Sequence, residues 1–472
     1  MSEETSVYRL PEADLALPPA LEERMRWLGR GPVVSRAGEF VLYWMRTAMR
    51  GDENPALEVA QQIANHLGLP LLVYQGLSER YPFASDRHHT FILQGARDVQ
   101  LELADRGIAY ALHVERPGHR EPHLKTLAKQ AAVVVTEDMP TEPLRSWTRV
   151  LSKSIPGGLV AVDTACIVPM QLIGRSYERA FAFRNATRNL YEKRLSRPPI
   201  QCIQRSSNRT LPELPFAPID LQTVDIVSLV SECEIDHSIG PVADTTGGSG
   251  AGYQRWEAFK CHGLANYARR RNDPLVDGVS RMSPYLHYGM VAPTRLAREA
   301  AADPSQGAEK FLDELLIWRE LAYAFCHYRR DHGRISAVPT WARETLREHE
   351  QGARQLLSWE TMARGRTGDS IWDSAQRSLL IHGELHNNVR MTWGKAILNW
   401  TPNATQALRS MIDLNHRYAL DGRDPASYGG ILWCLGQFDR PFPPAQPVFG
   451  TVRSRSTEQH ARRLDPVAYR RK

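Results

Sequence analysis

The sequence predicts an N-terminal α/β domain built on a Rossmann-like parallel sheet, followed by an all-α domain. Three observations predict it. Between residues 39 and 163 short apolar runs alternate with helical patterns; beyond 253 apolar residues recur at helical spacing almost throughout; and from about 196 to 250 both patterns yield to Pro-, Ser- and Gly-rich sequence. The expected boundaries are 36–175 for the α/β domain, 176–250 for an interdomain linker and 251–472 for the helical domain.

The elements follow in order. EFVLYW (39–44) reads as a strand and PALEVAQQIANHLG (55–68) as the helix behind it. LLVYQ (71–75), YALHVE (110–115), VVVTED (133–138) and GLVAVD (158–163) read as further strands. A long helix near 86–106, HLKTLAKQ (123–130) and RSWTRVLSKS (145–154) fall between them, the alternation of a parallel sheet. Such a sheet offers a ligand crevice where strand order reverses, although no GxGxxG occurs here. PPIQCIQRSSNRTLPELPFAPID (198–220) and PVADTTGGSGAG (241–252) have the composition of a surface connection. Residues 307–330, 370–400 and 404–420 carry the helical apolar spacing of the second half.

At 472 residues the chain exceeds one ordinary core. Its composition, 42% apolar and 24% charged, is that of a soluble globular protein, and no run approaches the ~20 apolar residues of a membrane span. The opening MSEETSVYRLPEADLALPP lacks a basic stretch followed by an apolar one, so a cytoplasmic location is expected. Six scattered cysteines without a CxxC pair indicate neither a disulfide framework nor a metal site. The net charge of +6, with basic clusters at 267–274, 327–334 and 451–472, suits a polyanionic partner and equally a set of solvated faces.

The motifs are more specific. RNDPLVDGVSRMSPYLHYG (271–289), FLDELLIWRELAYAF (311–325), SIWDSAQ (370–376), RMTWGKAILNW (390–400), LNHRYALDGRDPASYGGILW (414–433) and PVFGTVR (447–453) occur in that order. Together they resemble the FAD-binding domain of the class II cyclobutane pyrimidine dimer photolyases, within the photolyase and cryptochrome family. YWMRTAMRGDENPAL (43–57) resembles that class's opening strand and helix, with Pro55 where the class carries a Trp; HNNVRM (386–391) stands where it carries HGFMRM.

The resemblance implies FAD as cofactor, UV-damaged DNA as partner, a monomeric enzyme, and light-driven splitting of pyrimidine dimers. Tyr267, Ser280 and Ser283 match the segment that holds the FAD pyrophosphate, where small hydroxyl residues ahead of a helix would cap an anion-attracting N-terminus. Arg390 and Asp421 match an ion pair beside the isoalloxazine ring, and Asn415 the position facing its N5. Trp372, Trp393 and Trp400 match a tryptophan chain that reduces the photoexcited flavin. Independently, Trp393 and Trp400 lie seven apart, on one helical face and about 10 Å along the axis. Glu314, Trp318 and Trp433 match the dimer pocket, the glutamate one turn before the first tryptophan. Arg270, Arg271 and Arg453 are expected on DNA phosphates. His287 and His386 are read as structural or polar neighbours of the flavin. An antenna chromophore, deazaflavin or folate, stays open, as do a cryptochrome-like sensor that repairs nothing and an enzyme for another lesion.

Overall fold

A computed structural model describes residues 7–205 and 209–471. The opening MSEETS, positions 206–208 of the expected linker and Lys472 lie outside the described residues.

The N-terminal sheet has six strands in the order β2-β8-β7-β4-β5-β6: β2 (Met25–Leu28), β4 (Phe40–Trp44), β5 (Leu71–Leu77), β6 (Ala109–Val114), β7 (Ala131–Glu137) and β8 (Leu159–Val162). The five strands from β4 to β8 pair in parallel, matching the predicted apolar runs. Every residue of β4, β7 and β8 is buried, which is why these strands read as continuous apolar runs rather than alternating ones. The sequence reading missed β2, which adds antiparallel to β8, and the small antiparallel pair β1 (Val7–Arg9) and β3 (Val33–Ser35). Strand order reverses between β4 and β7. There Arg46 lies over the Trp44 ring and Glu137 accepts from the Arg46 backbone N–H.

The segment 176–250 is more than a surface connection. It holds the helices Ala180–Leu195 and Ile226–Ser231, and buries Phe183, Tyr191, Leu221 and Ile226. Beyond it the chain is helical, as the spacing predicts. The main helices are Ser249–His262, Gln306–Leu312, Glu320–Tyr328, Ser370–His382, Asn387–Trp400, Ala404–Tyr418 and Pro425–Cys434. Asp313–Arg319 winds as a π-helical turn inside one long helix, a device frequent at functional sites.

Buried arginines tie the two domains together. Arg87, at the start of the helix Asp86–Asp105, donates to the carbonyls of Leu379 (3.0 Å), Leu380 (2.5 Å), Tyr418 (2.6 Å) and Gly240 (3.2 Å). Its guanidinium thereby caps the C-terminal ends of Ser370–His382 and Ala404–Tyr418, where helix carbonyls lack partners and the dipole favours a cation. Arg50 donates to the carbonyl of Gly289 at 2.7 Å. Gly289 has φ +63, and a Cβ there would meet the Thr47 carbonyl oxygen at 2.1 Å, so only glycine allows this approach.

Candidate functional site

The helical domain encloses a cavity of about 820 Å³, within the range of small-ligand sites. Of the sequence-predicted residues, Tyr267, Arg271, Ser280, Ser283, Glu314, Trp318, Arg390, Asp421 and Trp433 line it. His386 also lines it and begins the helix Asn387–Trp400, its Nδ1 accepting from the Asn388 backbone N–H at 3.3 Å. His287 is buried, with Nδ1 3.3 Å from Asp424 Oδ2. Burial raises the Asp424 carboxyl, but His287 and Arg319 outweigh it and hold the group below the usual range.

Arg390 sits one turn into its helix and donates to Ser427 Oγ at 3.2 Å and Asp421 Oδ2 at 3.5 Å. The second contact is long. Among the described residues, Arg390 Nε and Asp421 Oδ1 are buried without a hydrogen-bond partner, a costly state unless a ligand supplies one. An unpaired donor beside an unpaired acceptor fits a ring edge that offers an acceptor next to a donor, as the isoalloxazine of FAD does.

Asn415 does not reach the cavity. It is buried near the end of Ala404–Tyr418, and its Nδ2 donates to the Gly422 carbonyl at 3.0 Å. The amide is spent on the turn that delivers Asp421, and the nearby wall is formed by Ala426, Gly429 and Gly430. Its Nδ2 is engaged with the backbone of that turn, beside the residues that line the cavity. Ser280 and Ser283 are corrected in a second sense: they line the cavity, but Ser283–His287 starts after Met282 with no side-chain cap. Arg281 between them adopts φ +51 and pairs with Asp244 at 3.0 Å and Glu384 at 2.5 Å. Burial raises Glu384, with Arg281 and Arg255 opposing it.

Across the cavity, Glu314 and Trp318 project from the π-helical turn. Trp318 stacks face to face on Trp433, ring centroids 4.7 Å apart and planes 10° apart. No base fits between rings at that spacing, so the pair offers one continuous aromatic platform rather than two jaws. Glu314 is ion-paired with Arg271 at 2.9 Å and Lys310 at 2.7 Å. Arg271 is therefore a pocket residue, its guanidinium 5.6 Å from the Tyr267 ring, rather than a free surface cation. Burial raises the Tyr267 phenol, and Glu314 adds to the effect. Arg270 and Arg453 lie outside the cavity, Arg453 exposed over Phe442. Sequence reasoning missed Lys310, Arg281, Arg377 and Arg455, which also line the cavity. Their only signal was a position within or beside the motifs.

The three tryptophans form one array. Trp372 and Trp393 stack in parallel, 6.0 Å between centroids and 7° between planes; Trp400 meets Trp372 edge-on at 5.1 Å. Trp372 is the middle member, which the seven-residue spacing of the other two could not reveal. Its Nε1 donates to the Trp393 carbonyl at 2.9 Å, and Trp393 Nε1 donates to Gln376 Oε1 at 2.9 Å. Trp372 and Trp393 are fully buried and Trp400 half-buried, so the array runs outward from one turn beyond Arg390.

A mixed α/β sheet bolted to a helical domain that holds a deep cavity and a tryptophan array is the architecture of the photolyases and cryptochromes. The structure superposes on a bacterial class III photolyase from Agrobacterium tumefaciens with a TM-score of 0.66, 18% identity, and coverage of 93% of this chain and 86% of the other. A Synechocystis cryptochrome gives 0.68 at 17% identity, covering 92% and 88%. In sequence, the chain is 33% identical over 440 residues to the deoxyribodipyrimidine photo-lyase of Methanothermobacter thermautotrophicus, covering 91% of this chain and 93% of that protein. It is 29% identical over 452 residues to the enzyme of the same name from Arabidopsis thaliana, covering 91% and 88%. The family model described as DNA photolyase matches residues 41–202. The chain belongs to the DNA photolyase family.

Proposed function

We propose that the protein is a light-driven lyase of the class II kind that binds FAD in the helical-domain cavity and repairs cyclobutane pyrimidine dimers in DNA. One observation carries this reading: a single cavity brings together the half-satisfied Arg390–Asp421 pair, a wall of Glu314, Trp318 and Trp433, and a stacked tryptophan array starting one turn away.

When bound and reduced, FAD would supply the light-driven electron-donating chemistry that splits the dimer without net redox change. The chain's residues would do the rest. Arg390 Nε and Asp421 Oδ1 would hold the flavin ring edge, and the buried guanidinium would favour an anionic ring. Tyr267, Ser280 and Ser283 flank the remainder of the cofactor, with the Arg281 cation among them. The Trp318–Trp433 platform stacks on a base pulled out of the helix, replacing lost base stacking, and Glu314 accepts a hydrogen bond from it. Trp393, Trp372 and Trp400 relay electrons inward to keep the cofactor reduced. Arg270 and Arg453 meet phosphates, so affinity for damaged DNA falls steeply with added salt. Whether the α/β domain carries an antenna chromophore, deazaflavin, folate or none, is read by denaturing the purified protein and recording the spectrum of what it releases.

The test is to purify the protein, reduce its flavin, and count thymine dimers in an irradiated oligonucleotide before and after illumination. Loss of dimers only in light establishes the reading. Bound flavin with persistent dimers replaces it by a light sensor, the reading favoured by the fold shared with the Synechocystis cryptochrome.

A further inference from the structure

Beyond Phe438 the chain leaves the cavity and comes back to it at Arg455, Tyr469 and Arg470. Three contacts seat this returning segment. Arg455 Nη2 donates to Asn388 Oδ1. The helix Thr457–Ala461 buries His460, whose Nδ1 lies 2.8 Å from Oγ1 of Thr392, the residue before Trp393. The helix Pro466–Arg471 packs on Ser370–His382, where Ser374 Oγ donates to the Pro466 carbonyl at 3.4 Å.

Asn388 serves two segments with one amide. While its Oδ1 accepts from Arg455, its Nδ2 donates to the Asn272 carbonyl at 2.6 Å. Asn272 belongs to the turns between Tyr267–Arg270 and Ser283–His287 that also carry Ser280 and Arg281. Asn272, Asn388 and Arg455 all line the cavity, so this bridge is part of its wall.

Tyr469 is what the segment brings to the interior. Its side chain is buried at 7% exposure and lines the cavity, and among the described residues its hydroxyl has no hydrogen-bond partner. Ser378, on the helix beside it, directs its own Oγ to the Glu384 carbonyl at 3.5 Å. Burial pushes the Tyr469 phenol up to about 12, with Ser378 opposing and Glu384 adding to the rise, so at neutral pH the group keeps its proton and can donate. A buried hydroxyl without a partner is a cost that an acceptor inside the cavity removes. Tyr469 lies past PVFGTVR (447–453), the last segment that resembles the family, so no motif marks it.

We propose that residues 454–471 are a strap that completes the flavin cavity, with Tyr469 a cofactor-binding residue whose hydroxyl donates to the bound dinucleotide and Asn388 the clasp between strap and facing turns; this deepens, and rests on, the reading that the cavity takes FAD. Release of the cofactor then requires the strap to loosen, so both residues act on the rate at which flavin leaves.

The test follows flavin release from the full-length, flavin-loaded protein in the dark, as the rise of free-flavin fluorescence after dilution. Tyr469→Phe keeps the ring and removes only the hydroxyl; it is expected to speed release about three- to tenfold, the effect of one hydrogen bond. Asn388→Ala removes both bonds of the clasp and is expected to speed release about tenfold, with the circular dichroism of both variants unchanged. Release from both at the unmodified rate overturns the strap while leaving the repair reading standing. Faster release from Asn388→Ala alone overturns the Tyr469 contact. An unmodified protein that purifies without flavin and takes up none overturns both readings.

Discussion

Replacing Trp372 by Phe separates the tryptophan array from the fold that carries it. Trp372 is fully buried between Trp393 and Trp400, so the change removes one fused ring and the 2.9 Å bond from Nε1 to the Trp393 carbonyl. The lost ring volume costs roughly 1–3 kcal/mol and the lost side-chain hydrogen bond about 1 kcal/mol more. That total is smaller than the ~5–15 kcal/mol by which domains are ordinarily stable, so the protein stays folded and keeps its flavin. The electronic consequence is larger. Two ring contacts of 6.0 and 5.1 Å give way to one direct step from Trp393 to Trp400, about 10 Å along the helix, and electron transfer decays exponentially with distance. Under blue light with an external reductant, the bleaching of the oxidised flavin band should fall to background, while chemically prereduced Trp372→Phe protein repairs dimers at the normal rate. Photoreduction at the unmodified rate refutes the array as the electron route. Loss of bound flavin refutes the stability reasoning.

Arg390→Met leaves Asp421 buried without its cation; we expect the purified protein to retain less than a tenth of its flavin, read from the ratio of flavin to protein absorbance, whereas Ser427→Ala keeps it. Arg87→Met strips four carbonyls, two of them fully buried, of their donor and should lower the unfolding free energy by about 3–5 kcal/mol, measured by urea denaturation; a change within ~0.5 kcal/mol of zero would remove its role as a two-helix cap. Stability should also depend on pH through Glu320. Burial pushes this carboxyl up to about 7, against the backbone N–H of Ile167, the neighbouring Arg319 and the Tyr191 hydroxyl, which lower it. Its folded value thus lies above an unfolded value of about 4.3, so the native state binds the proton more tightly. The stabilisation is complete below about pH 4 and is lost as pH rises through about 7, amounting to about 4 kcal/mol in all. Urea melts from pH 5 to 8 should show stability falling through that window, and Glu320→Gln should flatten the slope.

The parallel strands were legible because burial on both faces makes β4, β7 and β8 continuous apolar runs. The edge strand β2 was not, since MRWL buries only Met25 fully and carries no period. In the site, Arg390, Asp421, Glu314 and the tryptophans were expected from the resemblance of their motifs to the photolyases, and helical spacing added only the shared faces of Trp393 with Trp400 and of Glu314 with Trp318. For Asn415 the motif specifies position along the chain but not the hydrogen bond its Nδ2 makes to Gly422, which only the fold reveals. Lys310 and Arg281 escaped notice because a lone cation reads as a solvated face until its buried partners come into view.

The junction between the domains also bears on how such a protein can be divided or recombined. Arg87 closes two helix ends that belong to the other half of the chain, and Gly289 admits the Thr47 carbonyl where no side chain would fit. A helical fragment expressed alone would keep its cavity residues yet leave those carbonyls open to water, and a transplanted sheet domain would need glycine and arginine at matching places. The halves are separable on paper at the connecting segment, but as material they form one indivisible piece.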